Sequence, residues 1–289
     1  MKKLTLLTFL LSPYLLFAQE GKLKNVQTTS VWSPAKIKVD GNLSEWDDTF
    51  QAYNGTTKLF YTISNDDKYL YLVVKSIDLP NNDKIVAGGI TLTINTDGKK
   101  KEKDAFSLTY PVIPRAGRGQ RGAGGRGFGR QAAPPDSAAI VAAHKQTVAS
   151  AKEIRVLGFK DITDTLISIY NEYSIKAAIG YDGVGNYDYE LAVPLKELNI
   201  SSANAKDIAY NIKVNGIEVP AIFAGANGGG QISADGGAAG GTFGGRGGGG
   251  AAGGRGGRGG GAVGGAPGGR NPEMYSPTDF WGKYTLAKK

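Results

Sequence analysis

The sequence of 289 residues contains no cysteine, a single histidine and only two methionines. The lack of cysteine excludes disulfides and a thiol nucleophile, and one histidine without cysteine does not make a convincing zinc site. A Ser-His-Asp triad would have to use His144, which falls on a predicted inserted helix, and we interpret it as a solvated helix residue. We therefore predict that the chain is not an enzyme.

Catalysis by carboxylates and calcium binding through oxygen ligands remain open, because acidic residues are common. Two carboxylates suffice for glycoside hydrolysis, but the grouped candidates Glu45, Asp47 and Asp48 lie in one turn, where a solvated turn or a helix-like cap is the simpler interpretation. Segment 95–104 (NTDGKKKEKD) superficially resembles a calcium loop, yet it lacks further acids at the right spacing and contains a lysine run. We interpret it as a hairpin turn and expect no cofactor, with calcium as the alternative.

Long apolar runs are scarce as well, and the one candidate lies at the N-terminus. Two lysines precede the apolar stretch 4–17, and Ala18 follows it, which is typical of a cleaved signal peptide. The stretch is shorter than the roughly 20 residues that span a membrane. We expect a signal peptide at 1–18 and export of residues 19–289 to the periplasm or the extracellular space, without a transmembrane segment; an uncleaved anchor is the alternative.

The net charge of +8 is concentrated in two low-complexity tracts. Segment 115–130 carries five arginines, and segment 226–271 carries four arginines and one aspartate. After removal of the leader the chain carries +6 and the tracts carry +8, so the remainder carries −2. The basicity therefore does not belong to a folded surface, and because an exported protein rarely meets RNA we expect no nucleic-acid partner.

Both tracts are rich in glycine and lack apolar periodicity, so we predict that they are disordered loops. Strand-like sequence flanks each of them, as expected for insertions in surface loops of one domain, at about 114–152 and 225–271. The first insertion also contains a predicted helix at about 136–152, which is rich in alanine and can be capped by Asp136 or Ser137.

The rest of the mature chain consists of short segments with alternating apolar and polar residues, separated by turn signals. Many short strands at such spacing predict an all-β fold, an antiparallel sandwich or barrel. A further short strand is predicted around Ile37 and Val39, before the Asp40-Gly41 turn. The main predicted strands cover 58–64, 68–78, 88–98, 104–112, 153–159, 165–171, 173–182, 186–195, 208–216 and 279–288.

Aromatic side chains supply the remaining chemistry. A pyranose ring has an apolar face that packs on aromatic rings while nearby polar groups bind its hydroxyls. Trp46 and Trp281 lie in apolar patterns and are interpreted as core residues, and the other candidates are also open to that interpretation. The candidate ligand-binding residues are Trp32, Tyr53, Tyr61, Tyr187 and Tyr275.

Five segments in order resemble the family 9 carbohydrate-binding modules and their DOMON-like relatives. They are IKVDGNLSEWDD (37–48), YLYLVVKSID (69–78), ITLTINTDGKK (90–100), YDYELAVPLKEL (187–198) and DFWGKYTL (279–286). The resemblance implies a jelly-roll-like β-sandwich that binds sugar without catalysis. The motif residues with implied structural roles are Asp40, Gly41, Glu45, Trp46, Glu190, Pro194 and Trp281.

In this interpretation the opening segment 37–48 starts the fold, with Trp46 packed at the entry of the domain. Sugar binders of the family clamp their ligand between two exposed tryptophans, and Trp32 is the tryptophan that we expect outside the core here. Some DOMON-like relatives bind haem through axial Met, His or Lys ligands. Because Met274 and His144 lie in or beside the insertions, we do not expect haem.

Three functional hypotheses follow from these patterns. The first is an exported, non-catalytic module that binds carbohydrate, such as cell-envelope polysaccharide, at an aromatic surface. The second is a structural or interaction module of the cell envelope whose cationic Gly/Arg loops contact anionic partners. The third is a hydrolase with two catalytic carboxylates, which would require facing acids about 5–10 Å apart in a cleft.

Overall fold

The structure is a computed structural model that describes residues 23–114, 136–203, 207–217 and 272–289. The predicted signal peptide and both Gly/Arg-rich tracts lie outside the described residues, so their predicted cleavage and disorder stay predictions.

The described chain is mostly β-structure, as the alternating segments predict. Two α-helices accompany the strands, α1 (Leu79–Gly88) and α2 (Ser137–Ser150). The strands are β1 (Ala52–Asn54), β2 (Leu59–Asn65), β3 (Tyr69–Ser76), β4 (Ile90–Asn95), β5 (Phe106–Val112), β6 (Glu153–Leu157), β7 (Leu166–Ser168), β8 (Lys176–Tyr181), β9 (Tyr187–Pro194), β10 (Asp207–Val214) and β11 (Thr278–Thr285).

The strands form two antiparallel sheets. The five-stranded sheet has the order β1-β2-β3-β9-β8, and the six-stranded sheet has the order β11-β10-β4-β5-β6-β7. Every pairing between neighbouring strands in these sheets is antiparallel. The prediction of an all-β, antiparallel fold is therefore confirmed.

One hydrophobic core lies between the two sheets and gives the fold its sandwich-like layering. Tyr61 of β2 and Tyr210 of β10 meet there, with their hydroxyls 3.0 Å apart. The rings of Tyr110 on β5 and Tyr189 on β9 lie 5.9 Å apart, again across the two sheets. Because successive residues of a strand point to opposite faces, each sheet also presents an outer face, and the candidate sites lie on those faces.

Both predicted insertions connect neighbouring strands of the six-stranded sheet at the same end. Val214, at the end of β10, pairs with Ile90, and Ile90 pairs with Tyr110 near the end of β5. The chain leaves towards the first tract after Pro114 and towards the second after Ile217. The two tracts are thus attached at the same end of the strands of this sheet.

The helices and the opening segment differ in part from the sequence-based expectation. Helix α2 is confirmed, and the Asp136 carboxylate caps it by accepting from the backbone N–H of Ala139 at 2.7 Å. Helix α1 was not predicted, although Asp78 caps it and Pro80 lies in its first turn. The predicted strand at Ile37 and Val39 is wrong: this segment is irregular, and both side chains pack on a sheet face instead. Within the described residues, neither helix is long and apolar enough to cross a membrane.

Candidate functional site

The Glu190 carboxylate joins two of the five segments on which the resemblance rests, 187–198 and 37–48. One oxygen accepts from the backbone N–H groups of Asp40 and Gly41, at 2.9 and 2.8 Å. The other oxygen accepts from the indole N–H of Trp46 at 3.0 Å. Burial raises the pKa of Glu190, and these three hydrogen bonds oppose the rise. Glu190 therefore anchors the opening segment to the outer face of the five-stranded sheet.

Trp46 and its neighbours cover that outer face. Trp46 packs edge-on against Tyr71, with ring centroids 5.9 Å apart, in a cluster that includes Leu43 and Val73. Gly41 permits the close approach, because its φ is +85° and an added Cβ would lie 2.4 Å from the carbonyl oxygen of Ile179. The opening segment 37–48 thus covers this face of the sheet, and the Asp40-Gly41 turn has a structural role there.

The remaining motif residues are distributed around this arrangement. Glu45 lies in the short 3-10 turn Ser44–Trp46, and its carboxylate accepts from the Ser44 hydroxyl at 3.3 Å. Pro194 is buried at the end of β9, where it pairs with Tyr69. Trp281 lies on the other sheet, so the structure does not bring all the motif residues together.

A network of acids around Lys75 lies beside the anchor. The Lys75 ammonium is 2.6 Å from Asp48, 3.4 Å from Asp182 and 3.8 Å from Asp188. Asp188 is only 4% exposed, and burial raises the pKa of its carboxyl to about 7. The lysine occupies the space between the carboxylates, where hydrolysis would need a sugar and a water molecule. The geometry therefore fits an ion-pair network better than a pair of catalytic acids.

Two of the candidate sugar-binding residues point into the core. Tyr61 and Tyr187 are both 0% exposed. The Tyr61 hydroxyl accepts from the backbone N–H of Gln27 at 2.9 Å and bonds to Tyr210, while the Tyr187 ring packs edge-on against Tyr181. The hypothesis that Tyr61 and Tyr187 line a binding surface is not supported, because alternation along β2 and β9 turns both rings inward.

Trp32 and Tyr53 are half-buried and lie at opposite ends of β2. The backbone of Trp32 bridges Asn65, and Tyr53 pairs with Phe60, so about five residues or 17 Å of strand separate them. Tyr53 packs on Phe60 with centroids 4.6 Å apart. Tyr275 lies on the chain that enters β11 in the other sheet. The predicted aromatics therefore do not form one surface.

The outer face of the six-stranded sheet carries a groove of about 660 Å³ in volume. Hydroxyl pairs cross its floor: Thr91 and Thr109 are 2.7 Å apart, and Thr93 and Ser107 are 3.0 Å apart. The amide of Asn215 extends the row by donating to Thr91 at 2.9 Å. We call this surface the hydroxyl groove, and its geometry suits a ligand with many hydroxyls.

Charged and aromatic groups border the hydroxyl groove. Arg155 is exposed and has no carboxylate partner among the described residues, whereas Lys213 lies 3.4 Å from Glu102. Tyr275 lines the groove. Trp281 lies on the same outer face, because its neighbour Phe280 points inward to Tyr61 and Tyr210.

Trp281 therefore requires a correction to its interpretation as a core residue. It is half-buried and pairs with Asn211, which in turn pairs with Thr93 of the groove floor. The surrounding apolar residues of β11 suggested a buried ring, but strand alternation places Trp281 on the outer face.

The hydroxyl row was missed as a site, although its signal is present in the sequence. In ITLTIN, Thr91 and Thr93 alternate with apolar residues, and in FSLTYPV, Ser107 and Thr109 do the same. Alternation predicts which face they share within each strand. It does not predict that β4 and β5 pair in the register that brings Thr91 opposite Thr109.

The histidine and the loop that were considered as cofactor sites, His144 and 95–104, lie in different parts of the fold. The His144 ring stacks on Tyr181 with centroids 3.6 Å apart, on the exposed helix α2. Asn95 closes the lysine-rich loop by accepting from the backbone of Asp97 and Lys99, in agreement with a hairpin between β4 and β5. Within the described ranges, no group of three or more His, Cys, Asp or Glu residues has a geometry that holds a metal ion.

Comparisons with known proteins do not identify a family for this chain. Neither the protein-family profiles nor the curated protein sequences gave a match to the chain.

Proposed function

We propose that this chain is an exported, non-catalytic carbohydrate-binding protein with a jelly-roll-like sandwich related to the family 9 modules. Its ligand surface is the hydroxyl groove together with the adjacent rings of Tyr275 and Trp281. This differs from the set of aromatics expected from the sequence, since Tyr275 alone of that set lies at the groove.

The observation that carries the proposal is the row of paired hydroxyls on an outer sheet face. Thr91, Thr109 and Ser107 are partly exposed and carry oxygen atoms that both donate and accept, whereas their neighbour Thr93 is only 2% exposed. Sugar hydroxyls have the same dual character, and an aromatic ring at the border offers an apolar face to the C–H groups of the sugar.

Affinity electrophoresis of the mature chain against neutral and acidic polysaccharides tests the proposal. We expect at least one polysaccharide to retard the protein at high salt, and Trp281→Ala or Tyr275→Ala to weaken this binding about tenfold, equivalent to roughly 1.4 kcal/mol. Thr91→Val should weaken it as well, because the valine leaves the ring contacts but removes a hydroxyl.

Tyr53→Ala is the matched control, because Tyr53 is a half-buried aromatic on the other sheet. It should leave the retardation unchanged. Binding that is lost in Tyr53→Ala and retained in all three groove variants would contradict the assignment of the site. If no neutral or acidic polysaccharide retards the protein, the proposed function is wrong.

A second candidate function is the envelope interaction module, which one observation favours. Pro114 and Ile217, the described residues that precede the two arginine-bearing tracts, both line the hydroxyl groove. The cationic tracts are thus attached beside this surface. If they provide the contact, only anionic polymers should retard the protein, and the effect should disappear with shortened tracts or at high salt.

A further inference from the structure

The hydroxyl groove has an arginine at one side of its floor. Arg155 on β6 lines the groove, and its side chain is exposed. Its guanidinium forms no ion pair or hydrogen bond with another side chain of the described residues. Arg155 is also the single arginine of the described residues, since the other nine lie in the two tracts. The groove therefore presents one guanidinium that is available to a ligand.

The strand register places this arginine in line with two hydroxyls of the groove. Arg155 pairs with Thr109 of β5, and Thr109 pairs with Thr91 of β4. Thr91 in turn pairs with Lys213 of β10. Residues that lie opposite each other on antiparallel strands share one face of the sheet, so these four side chains form a row across the groove. Neighbouring strands are about 4.8 Å apart, which makes the row roughly 14 Å long.

The charges that line the groove do not cancel. Arg155 and Lys213 are cationic and Glu102 is anionic, so the lining carries one excess positive charge. Glu102 lies 3.4 Å from Lys213, on the side away from Arg155. Glu153 points to the same outer face two residues before Arg155 but forms no ion pair with it. Asp279, beyond Lys213 on β11, accepts from a neighbouring amide at 2.6 Å. A ligand group that compensates the guanidinium is therefore negative.

We propose that the hydroxyl groove binds an acidic polysaccharide and that Arg155 binds a carboxylate of its uronate units. The inference rests on the proposed function, because it names the class of carbohydrate for the same groove. A guanidinium presents a planar fork of N–H donors that matches the two oxygens of a carboxylate. Beside it, Leu157 lines the groove and is 52% exposed, so it offers an apolar contact to the C–H groups of the same sugar.

Affinity electrophoresis with polygalacturonate, alginate and hyaluronate, each beside its own methyl ester, isolates the effect of the carboxylate. The full mature chain is used at high salt, which screens the exposed cations of the tracts. We expect at least one free acid to bind about tenfold more tightly than its ester. If neutral polysaccharides retard the protein and no free acid exceeds its ester, the inference is wrong and the proposed function stands. If no polysaccharide retards the protein, both are wrong.

Arg155→Gln tests the contact itself, and Lys160→Gln, which removes an exposed positive charge outside the groove, is the matched control. Arg155→Gln should weaken binding of the free acid about tenfold and leave binding of the ester unchanged. Arg155→Lys should recover only part of the loss, because an ammonium keeps the charge but lacks the fork.

Both tracts are present in every variant, so a contact made by the tracts alone does not depend on Arg155. Binding of the free acid that Arg155→Gln retains would overturn the proposal and favour the tracts as the contact. An equal loss in Lys160→Gln would also overturn it, because net charge rather than the guanidinium would then decide the binding.

Discussion

The outer faces of the two sheets are used in opposite ways. On the five-stranded sheet, Tyr71 and Val73 point outward but are buried beneath Trp46 and the rest of the opening segment. On the six-stranded sheet, the outward residues of β4 and β5 at the centre are hydroxyl-bearing, and Thr91, Ser107 and Thr109 among them are partly exposed, while Thr93 is buried. The same alternation of side chains thus produces a second, small core on one sheet and an open polar groove on the other.

The difference follows from what each outer face displays. Outward apolar side chains are stabilised by an apolar cover, because the hydrophobic effect favours removing their surface from water. Outward threonine and serine hydroxyls satisfy one another, as in the pair Thr91–Thr109, and need no cover. The covered face therefore contributes to stability, and the open face is available to a ligand.

The largest expected effect comes from removing the ring that covers the first face. Trp46→Ala should lower the free energy of unfolding by about 4 kcal/mol, because it leaves a cavity and exposes apolar surface. Trp281→Ala, on the open face, should cost less than half as much, because its ring is only half-buried. Urea denaturation of the two variants measures the difference, and equal losses would contradict the distinction between the faces.

A smaller loss is expected at the anchor of the covering segment. Glu190→Gln keeps the size of the side chain, but one carboxylate oxygen becomes an NH₂ group. In the parent protein both oxygens accept hydrogen bonds from N–H donors, so the NH₂ group of the variant faces a donor. We expect a loss of about 2 kcal/mol in urea denaturation, since buried donors are left without an acceptor. Polysaccharide binding by the folded variant should be unchanged. Glu172→Gln, at an exposed position, is the control. A comparable loss of stability in Glu172→Gln would show that the loss in Glu190→Gln does not come from the hydrogen bonds of Glu190.

The last comparison concerns pH and the buried acid beneath the opening segment. Asp188 ionises near its usual pKa of about 3.9 in the unfolded chain, whereas burial raises its pKa to about 7 in the folded protein. Folding takes up a proton between these values, so this group makes stability fall as pH rises from about 4 to 7.

Asp188→Asn should remove that dependence and stabilise the protein above pH 7, because the neutral amide avoids a buried charge while Lys75 retains Asp48 and Asp182 as partners. Urea denaturation at a series of pH values is the measurement, with Asp83→Asn at an exposed position as control. A steeper pH dependence in Asp188→Asn than in the parent would show the sign to be wrong.

The predictions from the sequence were most successful where local pattern decides the structure. The alternation in TLTIN and in YDYELAV predicted strands that β4 and β9 confirm, and the Asp136 cap predicted the start of α2. Helix α1 was missed because its buried residues include Asn81 and Lys84, which weaken the apolar period that marks a helix. The irregular segment at Ile37 was mistaken for a strand because burial on a sheet face gives the same alternation as a strand.

The sequence by itself determined the strand-rich fold and the lack of thiol chemistry, since period-two alternation and composition are local properties. Only the tertiary structure decided which aromatic rings face water, that Glu190 receives Trp46 from 144 residues away, and that Lys84 is buried. These features depend on which strands pair and in which register, and on which face each loop covers. They are set by long-range contacts that no local pattern encodes.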